Sequence, residues 1–441
     1  MEQLLHYVWK HKLFPLAPLV TTDGRVVEVI HPGLHNHDAG PDFFNAKVKI
    51  GGQLWVGNVE IHCKASDWFR HHHETDAAYA NVVLHVVGDA DREIPQQGEP
   101  NQKIPQLVLP VPSDVRDNYD RLSRNDGMPR CRAVINALPS LTIHSWMSAL
   151  QVERLEERTK QVMERRSRCN MDWEATLFVT LARTFGFGIN GDAMEQWAQG
   201  VPLSAVGKHR DNLFQIEAIF FGQAGLLETA HEAPYFVKLQ KEYAYLRHKF
   251  TLTPMSPDRW RFARLRPQSR PYLRIAQLAM LYYEQRLNFS RIIEAQDVES
   301  LRALLQTHVS EFWQTHFTFD SEPLAQLSDR RLSEASLDSV IINAVVPILF
   351  AYGRYKNEEQ LCERSLQLLE SLKAENNNVV RAWARVGIMS ETAADTQALI
   401  HLTRQYCEPH NCFRCRFGYE YLRRTPDFLR EQEEKLGCQE A

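Results

Sequence analysis

The sequence predicts an α+β domain in residues 1–125, organised as an α/β sandwich, followed by a large all-α domain in residues 126–441. Two observations indicate this division. Strand-like runs separated by turn residues are confined to the first 110 positions. From about residue 141 onward, apolar residues recur at helical spacing instead. Residues 112–140 contain three prolines and are expected to connect the two parts.

The first domain is expected to begin with a helix over residues 1–14, because Leu4, Leu5, Val8 and Trp9 define one apolar face. The expected order that follows is a strand at 25–30, a hairpin of strands 46–50 and 54–64, a crossover at 67–80, and strands at 82–87 and 107–109. The strand at 82–87 is apolar almost throughout, which predicts burial on both faces.

The second domain shows only helical patterns. The expected helices are 141–166, 173–186, 192–199, 212–228, 236–250, 271–287, 297–314, 336–352, 358–371 and 392–406. No fixed-period repeat is evident in this region.

Composition narrows the class of protein. The chain is 44% hydrophobic and 24% charged, with a formal net charge of -4, so any surface for nucleic acid would have to be local. The N-terminus is too short and too charged for a signal peptide, and no apolar run reaches the roughly 18 residues of a membrane span. Scattered cysteines favour a reducing compartment, so we expect a cytoplasmic protein with no membrane partner.

Acids, a histidine and a lysine are concentrated on the expected hairpin and its entry loop. These residues are Asp38, Asp42, Glu60, His62 and Lys64. Because side chains alternate along a strand, the last three share one face, and Asp42 begins the neighbouring strand. Two carboxylates at adjacent strand positions predict a site for Mg²⁺ or Mn²⁺. The alternative is structural, with Asp42 capping a turn and Glu60 pairing with Lys64 on a solvated face.

Pro41-Asp42 on one strand and Glu60 on the next, in this order of elements, resemble the PD-(D/E)XK nuclease superfamily. The resemblance covers about the first quarter of the chain. It implies that Asp42 and Glu60 bind Mg²⁺ and that a lysine assists the water that hydrolyses a phosphodiester bond. His62 stands where that lysine is expected, and Lys64 lies two residues further on, facing the same way.

Further histidines surround the acids. His71-His72-His73 is expected to be a solvated turn, since no ligand spacing singles these residues out. His85 is expected to be a core histidine on the strand next to Glu60, and it is retained as a weaker site candidate. A histidine-rich transition-metal site is the alternative to Mg²⁺. It would draw on His31, His35, His37, His71, His72, His73 and His85.

A second candidate site lies near the C-terminus, where Cys407, His410, Cys412 and Cys415 fall within nine residues. Thiolates at short spacing suit Zn²⁺ or an iron–sulfur cluster. The fourth ligand would be either His410 or Cys131 from the connector. Some nucleases of the superfamily above carry a cluster held by one upstream and three downstream cysteines, and this layout is similar. The alternative is a set of ordinary reduced thiols at a helix junction.

A basic stretch in the helical domain contains four arginines considered for nucleic-acid binding, namely Arg264, Arg266, Arg270 and Arg274. Pairing with acidic residues of neighbouring helices is the competing interpretation, and the negative net charge favours it. The chain has no Walker loop, dinucleotide fingerprint or serine-hydrolase elbow, so we expect no nucleotide cofactor.

The whole chain also resembles an uncharacterised bacterial family, a domain of unknown function. The matching stretches are Gly40–Phe43, Gly57–His62, Ser66–Trp68 and Phe221–Gly225. Together these features predict a metal-dependent, nuclease-like hydrolase acting on DNA or RNA. The rival hypothesis is a non-catalytic scaffold that binds nucleic acid or protein through a degenerate nuclease-like fold.

Overall fold

The computed structural model describes residues 2–15, 17–36, 39–96, 99–124, 127–229, 231–285 and 288–437. Its N-terminal part is mixed α/β and its C-terminal part is mostly helical, which confirms the predicted division of secondary structure. The strands are β1 (Leu19–Val20), β2 (Val26–His31), β3 (Leu34–His35), β4 (Phe43–Ile50), β5 (Gln53–Lys64), β6 (Val82–Asp89), β7 (Pro95–Gln96), β8 (Glu99–Lys103) and β9 (Gln106–Val108).

A mixed sheet organises the N-terminal part, with strand order β1-β2-β4-β5-β6-β9 and β3 paired to β4. The β2/β4 and β4/β5 pairs are antiparallel, whereas β5/β6 and β6/β9 are parallel. The Gly51-Gly52 turn closes the β4–β5 hairpin, and both glycines have positive φ. The segment between β5 and β6 is the parallel crossover that the sequence predicts.

The helices of the N-terminal part pack on this sheet. Helix α1 (Glu2–Lys10) buries Leu4, Leu5, Val8 and Trp9, as its spacing predicts, and it contacts β5 and β6. The crossover contains α2 (Asp67–Arg70) and a 3-10 turn (Ala77–Tyr79). Trp68 and Tyr79 pack with Val82 at the start of β6 and thereby fix the course of the crossover.

The remaining helices are α3 (Ser113–Arg124), α4 (Arg132–Ile135), α5 (Ser140–Arg168), α6 (Trp173–Phe185), α7 (Gly191–Gly200), α8 (Leu203–Gly207), α9 (Leu213–Gln223), α10 (Pro234–Phe250), α11 (Pro271–Tyr283), α12 (Phe289–Glu294), α13 (Val298–Leu305), α14 (Glu311–Thr315), α15 (Glu334–Val340), α16 (Val346–Lys356), α17 (Glu359–Ser371), α18 (Asn378–Arg385), α19 (Ala393–Leu402), α20 (Arg416–Leu422) and α21 (Pro426–Gly437).

One expected helix, 297–314, is interrupted. It forms α13 and α14, separated by five residues that include Thr307. The buried Thr307 hydroxyl donates to the carbonyl oxygen of Gln277 in α11, 3.0 Å away. A β-branched residue that bonds another helix in this way favours a break over continued helix.

The chain forms two compact units. The sheet unit comprises Met1–Trp146, Arg381–Ile388 and Leu402–Ala441, and the helical unit comprises Met147–Val380 and Met389–His401. The C-terminal segment therefore belongs to the sheet unit. Local sequence patterns do not predict this return of the chain. Compactness does not establish independent folding, so the domain boundary at residue 125 stays a prediction.

The helical unit has one extensive apolar core, in which Phe178, Trp197, Phe220 and Phe221 are almost fully buried. A continuous helical stretch, Glu334–Lys356, is long and apolar enough to cross a membrane, although the sequence suggested no such run. Of its most apolar window, 67% is buried inside the protein, and a core helix of a soluble protein passes the same test.

Candidate metal centre

Strand register brings the predicted acids to one place. Asp42 immediately precedes β4, and Glu60 and His62 lie two residues apart on β5, which pairs antiparallel with β4. On its other side β5 pairs in parallel with β6, where His85 is the partner of Glu60. Four polar side chains thus meet in the middle of the sheet.

The two carboxylates are linked through the backbone. The Asp42 N–H donates to Glu60 Oε2 at 3.0 Å, and the Ile61 N–H donates to Asp42 Oδ2 at 2.9 Å. Glu60 is only 4% exposed. The reciprocal bonds hold the start of β4 against β5 and leave Glu60 Oε1 directed toward a group of histidines.

Three of these histidines form the tightest ligand group. Potential ligand atoms of His62, His71 and His73 all lie within 4.8 Å of one another, the one such group of three or more among the described residues. Nε2 of His62 lies 3.2 Å from Nδ1 of His71. Glu60 Oε1 lies 3.5 Å from Nε2 of His62 and 3.4 Å from Nε2 of His73.

These separations have the size that a single zinc ion imposes. A Zn–N bond of about 2.1 Å in tetrahedral geometry places neighbouring ligand atoms about 3.4 Å apart. His62 and His73 are buried and His71 is exposed, so the group is accessible to solvent from one side. The residues therefore fit a three-histidine metal site with Glu60 beside it.

The electrostatics of the group favour neutral imidazoles. Burial lowers the pKa of His62 to about 2, with a further contribution from the neighbouring histidines. Burial likewise lowers the pKa of His73. Burial, followed by the charge of Asp42, raises the pKa of Glu60. Neutral imidazole nitrogens are the form that binds metal ions.

A further histidine, His6 of α1, reaches the same acids. Its Nε2 lies 3.2 Å from Asp42 Oδ2. Burial opposes protonation of His6, but its hydrogen bond and charge interaction with Asp42 outweigh this effect and raise its pKa. His6 also lines a cavity of about 390 Å³ whose walls include Lys10, His35 and Arg414. The centre thus adjoins a cavity that carries cationic side chains.

Lys64, the predicted substitute for the superfamily lysine, does not join this group. It is exposed, four residues along β5 from Glu60, a separation of about 13 Å in a strand. Its charge acts on Asp91, where it adds to the Ser66 hydrogen bonds that lower the pKa of that carboxyl. The structure therefore does not bring Lys64 into this group, and a catalytic role for it stays a prediction. Asp38 and His37 lie outside the described residues.

Sequence reasoning favoured a solvated turn for the crossover histidines and included them only in the alternative transition-metal site. His71 ends α2 and His72 has a positive φ of 61°, so the chain turns back and places His73 beside Glu60. His72, between them, is exposed. The His-x-His spacing directly after a strand that carries Glu-x-His was the available signal. The expected solvated turn describes the exposed His71 and His72 but not the buried His73.

The four cysteines predicted to bind a metal all belong to the sheet unit, and their joint binding of an ion stays a prediction. Cys131 and Cys415 are buried, and neither Cys407 nor Cys412 forms a disulfide. Burial raises the pKa of Cys131, and the charges of the other three thiols raise it further. His410 instead contacts the Arg130 guanidinium through its Nε2 atom.

The arginines proposed for nucleic-acid binding separate into two kinds. Arg264 and Arg266 are exposed, and Arg270 is half-buried. Arg274 is only 7% exposed, and its guanidinium lies 4.4 Å from the ring centre of Phe187 and donates to Gln277 Oε1 at 2.9 Å. Arg274 is therefore enclosed by its neighbours and is not exposed on the proposed basic surface.

These features define a mixed α/β and α-helical protein with a histidine–carboxylate centre in its sheet. The chain belongs to the family described as a protein of unknown function, DUF2851, whose model matches residues 2–378. Cys131 lies inside the matched range and the three C-terminal cysteines lie beyond it. Comparison with curated proteins and with solved structures gives no match.

Proposed function

We propose that the protein is a metal-dependent hydrolase that cleaves phosphodiester bonds in DNA or RNA. The observation that carries this proposal is a group of three ring nitrogens within 4.8 Å of one another, two of which lie 3.4–3.5 Å from the buried Glu60 carboxylate. An accessible group of this composition resembles catalytic metal sites, in which three protein ligands leave one position for water.

The donor set bears on the choice of metal. Asp42 and Glu60 alone would suit Mg²⁺ or Mn²⁺, as the sequence suggests. Ring nitrogens of His62 and His73 lie within 3.5 Å of Glu60 Oε1, and nitrogen ligands favour Zn²⁺. We therefore propose Zn²⁺ as the preferred ion and Mn²⁺ as the next.

Each polar residue has a role in this scheme. A bound ion would lower the pKa of a coordinated water and so supply hydroxide at neutral pH. Glu60 Oε1, next to His62 and His73, is placed to accept the proton of that water. His6, whose pKa Asp42 raises, is placed to donate a proton to the leaving oxygen. Lys10 and Arg414, in the adjoining cavity, would hold the phosphate.

Support for a nucleic-acid substrate comes from the arrangement of the acids. Asp42 before β4 and Glu60 in β5, followed by a crossover to the parallel strand β6, match the order expected from the nuclease resemblance. This finer assignment of the fold belongs to the proposal, as do a cytoplasmic location and the contact of Arg264, Arg266 and Arg270 with nucleic acid.

The test uses the full chain, stripped of metal and then supplied with Zn²⁺, Mn²⁺ or Mg²⁺. Substrates are single- and double-stranded DNA and RNA, and an aryl phosphodiester that needs no base recognition. We expect cleavage with Zn²⁺ or Mn²⁺, and loss of at least about 100-fold in Glu60→Gln, the scale of general-base catalysis. His72→Ala and Lys64→Ala are the matched controls and should stay within about twofold of the unmodified chain.

Absence of cleavage with every ion, or cleavage that survives in Glu60→Gln, would contradict the proposal. Cleavage of the aryl phosphodiester without cleavage of any nucleic acid would retain the hydrolase and exclude the nucleic-acid substrate. Activity with Mg²⁺ alone would restore Asp42 and Glu60 as the sole metal ligands.

A non-catalytic scaffold is the second candidate, and the position of Lys64 favours it. Lys64 is exposed and about 13 Å along β5 from Glu60, although the superfamily resemblance implies a lysine beside the two acids. In this case nucleic-acid binding without turnover should persist unchanged in the Asp42→Ala, Glu60→Ala double variant.

A further inference from the structure

One face of α1 forms part of the wall of the cavity of about 390 Å³ that adjoins the histidine–carboxylate centre. Residues three or four positions apart on a helix share a face, and those that line the cavity are Glu2, Gln3, His6, Tyr7 and Lys10. Much of the remaining wall comes from residues 410–414, between α19 and α20. Both segments belong to the sheet unit. The volume is typical of pockets for small ligands, which measure roughly 300–1,000 Å³.

The side chains that line this cavity carry a net positive charge. Lys10 and Arg414 both line it, and within the described residues neither side chain has an ion-pair or hydrogen-bond partner. Glu2 is the one acidic residue among the described residues of the lining. Partial burial lowers the pKa of Lys10, and the charge of Arg414 lowers it further. A bound anion relieves the repulsion between the two cations, and phosphate is an anion that both side chains commonly bind.

Aromatic rings are the other main component of the lining. The rings of Tyr7 and Phe413 both line the cavity, with their centres 5.1 Å apart, and Phe413 also stacks on Tyr119 at 4.9 Å. Phe413 is half-buried, so part of its ring surface stays available to a ligand. His35 lines the cavity as well and stacks on Phe43 at 4.7 Å. Rings beside cationic groups suit single-stranded nucleic acids, whose bases stack on the rings while their phosphates contact the cations.

His6 connects this cavity to the acids of the centre. It lines the cavity, and its Nε2 atom lies 3.2 Å from Asp42 Oδ2. Lys10 follows His6 by one helical turn, which is about 6 Å along the axis of α1. Neighbouring phosphates on one nucleic-acid strand have a comparable spacing. The phosphate held by Lys10 and Arg414 is then the neighbour of the scissile phosphate, which lies between His6 and the metal-binding group.

We propose that this cavity binds one unpaired nucleotide of a single-stranded nucleic acid, next to the bond that is cleaved. Lys10 and Arg414 bind its phosphate, and its base stacks on Phe413. A duplex does not offer such a nucleotide, because its bases are paired and stacked on one another, and extruding one of them costs free energy. The inference rests on the proposed function and names single-stranded DNA or RNA as the substrate of that hydrolase.

The experiment measures binding without turnover, on the full chain stripped of metal. The probes are a fluorescein-labelled single strand of about ten nucleotides, as DNA and as RNA, and the corresponding blunt duplexes. We expect the single strand to bind at least about 10-fold more tightly than the duplex, on the scale of one stacked base.

Two variants separate the contributions of charge and stacking. Arg414→Ala should weaken single-strand binding about 10-fold and reduce its dependence on salt, because one phosphate contact is lost. Phe413→Leu should weaken binding about 10-fold and leave the salt dependence unchanged. Arg404→Ala, which removes an exposed arginine outside the cavity lining, is the matched control and should stay within about twofold of the unmodified chain.

Competition on the unmodified chain distinguishes a nucleotide from a bare phosphate, even if Phe413→Leu fails to fold. Adenosine 5′-monophosphate should displace the labelled strand at least about 10-fold more effectively than inorganic phosphate does. Equal displacement by the two, equal affinity for single strand and duplex, or unchanged binding in Arg414→Ala and Phe413→Leu would each overturn the proposal.

Cleavage assays on the metal-loaded chain separate failure of this site from failure of the proposed hydrolase. Single-strand binding that depends on Arg414 and Phe413, in a protein that cleaves nothing, would contradict the hydrolase and retain the nucleotide site. Cleavage that depends on Glu60 but shows no preference for single strands would retain the hydrolase and overturn the nucleotide site.

Discussion

The imidazole of His85 lies directly behind that of His62, with its Nε2 atom 2.9 Å from Nδ1 of His62. His85 is fully buried in β6, and the other ring nitrogen of His62 faces His71 and Glu60. A ligating histidine usually has its second nitrogen bonded to a partner that fixes its orientation and tautomer. The His62–His85 pair supplies this relationship without a carboxylate.

Replacement of His85 should therefore weaken metal binding without abolishing it. His85→Phe retains an aromatic ring in the core but loses the bond to His62, and we expect zinc affinity to fall about 10- to 100-fold. Competition with a chromophoric chelator measures this. His72→Ala, at a side chain that is 81% exposed, is the control and should bind zinc as the unmodified chain does. Equal affinities in all three proteins would remove His85 from the centre.

The helical unit should show its own pH dependence through Glu217. Burial raises the pKa of Glu217 from its ordinary value of 4.5 to about 7, although hydrogen bonds from Tyr235 and Ser310 oppose the rise. The folded state therefore binds more protons than the unfolded state between these pH values. The free energy of unfolding should fall as pH rises through this interval, by about 3 kcal/mol in total.

Glu217→Gln keeps an oxygen acceptor but cannot ionise, so this fall should disappear. Urea denaturation at pH 4.5 and pH 8 measures the difference, and Glu164→Gln, at an exposed position of α5, is the control. An identical pH dependence in Glu217→Gln and the unmodified chain would show that Glu217 does not carry it.

A buried ion pair between α5 and α7 should be sensitive to loss of one partner. Arg165 Nε lies 3.1 Å from Glu195 Oε1, and the two side chains are 8% and 10% exposed. Glu195→Gln leaves a buried guanidinium without its counter-charge, and we expect a loss of about 3 kcal/mol in the free energy of unfolding.

Asp192→Asn is the matched control, because Asp192 pairs with Arg183 at 2.6 Å but is 93% exposed. Its effect should stay within about 0.5 kcal/mol. The double change Arg165→Met, Glu195→Leu should recover most of the stability lost in Glu195→Gln. Equal losses in Glu195→Gln and Asp192→Asn would contradict the importance of burial.

The stretch Phe221–Gly225, which matches the family, contains a glycine whose backbone packs closely against the ring of Tyr243. A Cβ at Gly222 would lie 2.1 Å from the ring of Tyr243, which is buried. Gly222→Ala should cost about 1–3 kcal/mol, as overpacking of a core does. Gly200→Ala, where the nearest atom would be 3.8 Å from the new Cβ, is the control. Coincident denaturation curves for Gly222→Ala and Gly200→Ala would count against this explanation.

Much of the sheet unit could be predicted because its signals are local. The apolar face of α1, the glycine turn of the hairpin and the apolar run of β6 each depend on residues within a few positions of one another. The same holds for the meeting of Asp42, Glu60 and His62, since strand alternation and one turn determine it. Strand alternation correctly gives the face of Lys64 but not its distance from Glu60 along the strand, so its catalytic role stays a prediction.

The remaining parts of the candidate sites depend on turn conformation and tertiary packing, which sequence periodicity does not predict. His71 and His73 reach the centre because the chain turns at His72, which has a positive φ. The residue types at these positions do not predict that turn. Arg274 shares a basic stretch with exposed arginines, yet the packing of α11 against Phe187 encloses it. Cys131 and Cys407 belong to the same unit only because the chain leaves the sheet unit and re-enters it.

Re-entry of residues 402–441 into the sheet unit has a consequence for biosynthesis. The ribosome releases the sheet strands early, but the partners that complete their unit emerge only after more than two hundred intervening residues of the helical unit. Until then the newly made N-terminal segment remains incompletely folded and accessible to chaperones and proteases. Translational stalling before residue 402 should therefore yield protease-sensitive fragments of the N-terminal region.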